Sequence, residues 1–115
     1  VNTPEPTELR YERGRRVLVV EFEDGVHFEL PAYYLRTHSP SAEVRGHGLS
    51  EPKLLTGKEE VGIKAIAPVG SYAVQLIFDD GHDSGIYSWS FLYDLGRNMD
   101  ANLARYAERL GREEL

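Results

Sequence analysis

The chain has 115 residues, 41% of them hydrophobic, which suffices for one substantial core and is marginal for two. With 19 Asp and Glu against 13 Lys and Arg, its formal charge of -6 opposes long-range attraction to nucleic acid or an anionic membrane. Cysteine is absent, which excludes disulfides, thiolate catalysis and any cysteine-ligated iron-sulfur or zinc centre.

Val1 to Glu8 is polar with two prolines and reads as a loose arm, and Glu8 to Tyr11 enters a first strand through Leu9 and Tyr11. Glu12 to Gly14 turns the chain. Arg16 to Phe22 is the clearest early strand: Leu18, Val20 and Phe22 share one face while Val17 and Val19 take the other, which predicts a central position. Asp24-Gly25 is a hairpin signal, and Val26, Phe28 and Leu30 alternate with His27 and Glu29 to complete a three-stranded meander. Pro31 suits the first turn of a short helix carrying Tyr33, Tyr34 and Leu35, which Ser39 and Pro40 end.

Ser39 to Leu55 has no sustained period and is expected to be an ordered loop, followed by an exposed turn over Thr56 to Glu60. Val61 to Ile66 reads as a strand that Pro68 and Gly70 terminate. Tyr72 to Phe78 and Ser84 to Tyr87 form a second hairpin around Asp79-Asp80-Gly81, where Gly81 supplies positive φ and the aspartates bind local N–H groups. Ser88 caps a helix from about Trp89 to Leu95 that Gly96 closes. Asn98 or Asp100 starts a last helix, whose stripe of Leu103, Tyr106, Ala107 and Leu110 ends before Gly111. The sum is an α+β fold, a small mostly antiparallel β-sheet domain with short helices and a C-terminal helical segment. Residues 1–115 are expected to form one domain, with Leu18, Val20, Phe28, Val74, Leu76, Trp89, Leu92 and Tyr106 in one core.

The densest polar cluster surrounds the second hairpin, where His82 lies among Asp79, Asp80 and Asp83. An imidazole among carboxylates suits cation binding or proton transfer, while the plainer reading has the aspartates capping the turn and His82 exposed. Arg36, His38, Ser39, Ser41, Glu43, Arg45 and His47 form a second constellation, a loop with Arg forks and backbone donors suited to a carboxylate, a phosphate or a protein surface, or to ordinary solvation. His38, His47 and His82 converge on one metal only if the loop folds over the hairpin. No serine sits in a GxSxG elbow, and Gly46-His47-Gly48 lacks the spacing of a nucleotide loop. Arg10, Arg13, Arg15 and Arg16 read as an exposed basic rim rather than a nucleic-acid site. No catalytic residue and no cofactor is assigned.

At LPAYYLRTHSPSAEVRGHG, VGIKAIAPVGSYAVQLIFDDGHDSGIYSW and FLYDLGR, the chain resembles small bacterial proteins of the domain-of-unknown-function 971 family over most of its length. That family is similar to the N-terminal domain of gamma-butyrobetaine hydroxylase, and similar domains accompany Mrp-like iron-sulfur carrier ATPases. The hydroxylase's catalytic domain, iron ligands and 2-oxoglutarate site lie outside this kind of domain. In the hydroxylase relatives the segment resembling Leu35 to Val44 carries three zinc-binding cysteines, and the residue resembling His82 is the fourth ligand. Here Ser39, Ser41 and Val44 stand at the cysteine positions, so the resemblance implies a metal-free relative whose loop, Ser39 to His47, meets Asp79 to Tyr87.

The expected function is therefore a non-enzymatic accessory or protein-interaction domain associated with iron-sulfur protein maturation, with an Mrp-like carrier as partner. Its interaction surface is expected over Arg36, His38, Ser39, Ser41, Glu43, Arg45, His47, His82, Asp83, Ser84 and Tyr87. The alternative is a small ligand-binding protein or enzyme using His47 or His82. Without a basic region and apolar stretch at its start, the chain is expected to be cytoplasmic. The sequence leaves the oligomeric state open.

Overall fold

The computed structural model describes residues 3–40 and 54–113. Two three-stranded antiparallel sheets carry the fold. The first is ordered β1 (Pro6–Glu12), β2 (Val17–Phe22), β3 (His27–Pro31), and the second β4 (Ile63–Val69), β5 (Ala73–Phe78), β6 (Gly85–Ser88). Helix α1 (Ala32–Thr37) follows β3, while α2 (Trp89–Arg97) and α3 (Met99–Glu113) follow β6. This is the α+β arrangement that the alternation of apolar residues predicts.

β2 is central in its sheet, and Leu18, Val20 and Phe22 are buried together with Val19. The Asp24-Gly25 turn closes as expected, with Gly25 at φ 86° and the Asp24 carboxylate accepting from Val26 N–H at 3.0 Å. β1 begins at Pro6 rather than Glu8: an edge strand tolerates a proline, and Pro6 sits opposite Phe22 in the ladder. The same tolerance moves β4, which runs through Pro68 to Val69 instead of stopping at Ile66. Pro68 pairs with Val74 on an edge strand, where the missing N–H breaks no second ladder.

One buried cluster draws on both sheets and the helices, including Leu18, Val20, Phe22, Leu30, Tyr34, Leu35, Val74, Leu76, Phe78, Tyr87 and Leu92. Phe28 and Trp89, expected in the core, pack against it at the margin and are half-buried. The Trp89 indole N–H reaches back to the Ser71 carbonyl at 2.8 Å, which keeps the ring at the rim of the second sheet. Tyr106 is half-buried too, its hydroxyl donating to the Leu55 carbonyl, and Ala107 is exposed; Met99 and Leu103 are the α3 side chains that pack on the cluster.

Ser88 caps α2, accepting from Phe91 N–H at 3.1 Å. The helix then passes through Gly96 and ends at Asn98, whose N–H donates to Asp94 O at 3.0 Å and whose carbonyl receives Asn102 N–H at 2.8 Å. α3 likewise runs through Gly111. Neither glycine is a stop. Gly96 lies against the Phe28 ring, where a Cβ would enter the ring's van der Waals envelope, so it serves close packing instead.

Candidate functional site

Two elements meet where the loop and second hairpin were expected to join. The short helix α1 delivers Arg36 in its last turn and Ser39 just beyond, and the β5–β6 turn delivers Asp80 and His82. That turn is fixed by Gly81 at φ 95°, by Phe78 N–H donating to His82 O at 2.9 Å, and by His82 N–H donating to the Asp80 carboxylate at 3.2 Å. The aspartate therefore caps the turn, as the plainer sequence reading has it. His82 itself is 5% exposed, contrary to that reading's exposed imidazole.

Inside, Ser39 Oγ lies 3.1 Å from His82 Nε2. Gly85 makes this approach possible, since a Cβ there would stand 2.7 Å from Ser39 Oγ and 2.9 Å from Tyr87 Cε1. Tyr87 is fully buried, and its hydroxyl donates to the Leu35 carbonyl at 2.5 Å, tying β6 to α1. Burial pushes the Tyr87 phenol well above its ordinary value, against the smaller opposing influence of the Ser39 hydroxyl and the Arg36 charge.

At the outer margin, Arg36 Nε and Lys58 Nζ both donate to Asp80 Oδ2, at 2.9 and 2.7 Å. Desolvation pushes the Asp80 carboxyl upward, but hydrogen bonds from Lys58, the His82 amide and Arg36 outweigh it and hold the group at about 2. Arg36 is 9% exposed, and its Nη1 is shielded, with no hydrogen-bond partner among the described residues.

Among the residues expected to form an interaction surface, Arg36, Ser39, His82 and Tyr87 are thus gathered together but face inward. His38 is half-buried and turns toward the helices: its Nδ1 is 3.1 Å from Tyr34 O, and its ring contacts those of Tyr34 and Tyr106. Asp83 and Ser84 are exposed. Ser41, Glu43, Arg45 and His47 lie outside the described residues, and with His47 so does the three-histidine convergence. Among the described residues no group of three or more His, Cys, Asp or Glu is placed to hold a metal ion. Zinc fits the described donors poorly on their own chemistry: Ser39 is a neutral hydroxyl engaged with His82 Nε2, in a position where the hydroxylase relatives have a thiolate.

Sequence reasoning missed Lys58 and the role of Gly85. Lys58 and Arg36 reach Asp80 from 22 and 44 positions away, a pairing without a local signal. A glycine following His-Asp-Ser at the start of a strand does carry one, because glycine in a strand marks close approach of another group.

The outer side of the second sheet is a different surface. Its paired positions are Ala65, Ala67 and Val69 on β4, Gln75 and Ile77 on β5, and Ile86 and Ser88 on β6, none formally charged, while Ala73 in the same alternation is buried. Ile86 is 48% exposed, and Tyr72, in the β4–β5 turn, is 59% exposed.

Residues 9–93 match the family described as gamma-butyrobetaine hydroxylase-like, N-terminal. Several solved structures are similar, three of them as follows. One protein determined by NMR in solution is 48% identical with TM-score 0.85, the match covering 99% of this chain and 85% of that one. Another NMR structure is 40% identical with TM-score 0.82, covering 96% and 86%. A crystal structure from Acidithiobacillus ferrooxidans ATCC 23270, of a protein of unknown function in the DUF971 family, is 37% identical with TM-score 0.70, covering 83% of this chain and 98% of that one. No curated protein matches the chain.

Proposed function

This chain belongs to the family of gamma-butyrobetaine hydroxylase-like N-terminal domains, the DUF971 family, and from that premise we propose that it is a non-enzymatic accessory or protein-interaction domain. The partner we propose is an Mrp-like iron-sulfur carrier in the cytoplasm, so that the domain serves iron-sulfur protein maturation. The likeness to domains that accompany such carriers supports the choice of partner. Consistent with a non-membrane setting, no helix of the described residues is long and apolar enough to cross a membrane.

The observation that carries the binding role is the division of labour across the second sheet. On the inner side, the groups with chemical potential are consumed by structure: Ser39 has no exposed area, His82 contacts it, and Tyr87 holds the Leu35 carbonyl. On the outer side, exposed Ile86 stands among uncharged Ala, Val, Gln and Ile residues, and a charge-depleted apolar patch is the composition of an interface centre. Asp83 and Ser84 add a polar margin at the hairpin. The rival class uses His47 or His82 as an acid or base; the 3.1 Å Ser39–His82 contact has a nucleophile-base geometry, yet a substrate cannot reach a hydroxyl without exposed surface.

The test is capture of purified Mrp-like carrier by the wild-type chain and by Ile86→Glu, which puts a charge on the outer face without touching the inner one. Binding weakened about tenfold or more by the substitution is expected. Equal capture by both proteins counts against this surface, and capture by neither counts against this partner. Substrate turnover abolished by His82→Ala would replace the reading with the rival one.

A further inference from the structure

We propose that a second copy of this chain docks on the outer face of the second sheet, forming a transient two-fold dimer in which Ile86 of each copy seats over Ala67 of the other. The inference deepens the binding reading above and rests on it for its role, since self-pairing covers the face assigned there to the carrier.

Charge singles out this face. A closed two-fold interface sets a patch against itself, so any net charge on the patch repels its own image. Two chains at -6 therefore meet most readily where the paired positions carry no charge, which the outer face of the second sheet provides. The first sheet instead carries the ion pairs of Arg10 and Arg15.

The strand register fits a two-fold axis. Ala67, Gln75 and Ile86 stand opposite one another in one row across β4, β5 and β6. The row is large at the β6 edge, where Ile86 is 48% exposed, and small at the β4 edge, where Ala67 is half-buried. An axis lying between the two sheets and along β5 sets each edge of the row over the opposite edge of the copy, so the isoleucine meets the alanine and not its own twin. Gln75, at the centre, donates its Nε2 to the Asp83 carbonyl at 2.6 Å, which ties the amide to its own sheet. Toward the hairpin end, exposed Lys64 lies on the β4 edge and exposed Asp83 lies just before β6. The same axis brings the ammonium of one copy to the side of the other's carboxylate, so the rim is complementary as well.

Size sets the strength. Three strands about 4.8 Å apart and about 20 Å long present roughly 300 Å². A standard interface covers about 800 Å² per partner, so the dimer is transient and gives way to a partner that covers more.

The experiment is a dilution series of the 115-residue protein alone, followed by backbone NMR and sedimentation velocity. Amide shifts at 65–67, 75–77 and 84–88 that follow a monomer–dimer isotherm are expected. Ile86→Ala, at an exposed position, should keep the fold and weaken association about tenfold. Ala67→Ile sets isoleucine on isoleucine and should weaken it about as much. The double variant moves the large residue to the other edge of the row and should recover most of the wild-type association. Spectra unchanged on dilution, shifts centred on another surface, an undiminished response in Ile86→Ala, or a double variant no better than either single one would overturn the proposal. The series contains no carrier, so its failure and the failure of carrier capture are separate results.

Discussion

Gly96 of α2 is pressed against the ring of Phe28 on β3, with no room between them for a Cβ. The contact joins the first sheet to a helix that follows the second, and Phe28 completes an edge-to-face group with Phe22 and Tyr93 at centroid distances of 5.6 to 6.1 Å. In an open helix, alanine would be favoured over glycine by about 1 kcal/mol. Here steric overlap should win, and Gly96→Ala is expected to destabilise the fold by about 1–3 kcal/mol in urea unfolding. An unchanged or higher midpoint would mean that Phe28 gives way freely.

Asp80 makes stability depend on acid. Its carboxyl is held at about 2 against an ordinary 3.8, so the folded state favours the ionised form. The stability this provides is present above the unfolded value and is lost as pH falls through the folded one, between about 4 and 2. Solvent at the turn screens the ion pairs, which reduces the expected contribution to about 1 kcal/mol. Urea midpoints measured from pH 6 to 2 should fall less steeply for Asp80→Asn than for wild type within that window. Parallel curves would assign the acid sensitivity to other carboxylates.

Gly85 and Ser39 should be coupled. Gly85→Ala drives a methyl toward Ser39 Oγ and the Tyr87 ring, with an expected cost of about 1–3 kcal/mol. Ser39→Ala removes the closer of the two obstacles, so the double variant should be more stable than the sum of the single effects, by about 0.5 kcal/mol or more. Strict additivity in a double-mutant cycle would show that the hydroxyl is not what the methyl meets.

How far the sequence disclosed this molecule depends on the range of each interaction. The alternation of Leu18, Val20 and Phe22, the Asp24-Gly25 turn and the Ser88 cap are local devices, and the structure has each where the residues indicate. Gly96 and Gly111 misled because a glycine needed for a helix stop and one accommodated within a helix look identical in one dimension. Trp89, expected among the core residues, packs on the core from its margin, where its indole N–H finds a carbonyl that no local pattern signals. At the candidate site, the meeting of Ser39 with His82 lay within the expected loop-to-hairpin approach. The inward direction of Arg36, Ser39, His82 and Tyr87 did not, because which side of a junction is closed depends on packing by distant segments.

The tyrosine hydroxyls have a consequence for how such a chain can diverge. Tyr34 donates to Leu95 O, Tyr87 to Leu35 O and Tyr106 to Leu55 O, while Tyr11 accepts from Ile63 N–H. Each phenol grips the main chain of another segment, and main-chain groups are the same whatever side chain they bear. The residue at the receiving end can therefore drift to any type that fits its own surroundings without cutting the tether. Pairwise covariation between sequences would be blind to these links, since only the tyrosine end of each is constrained in identity.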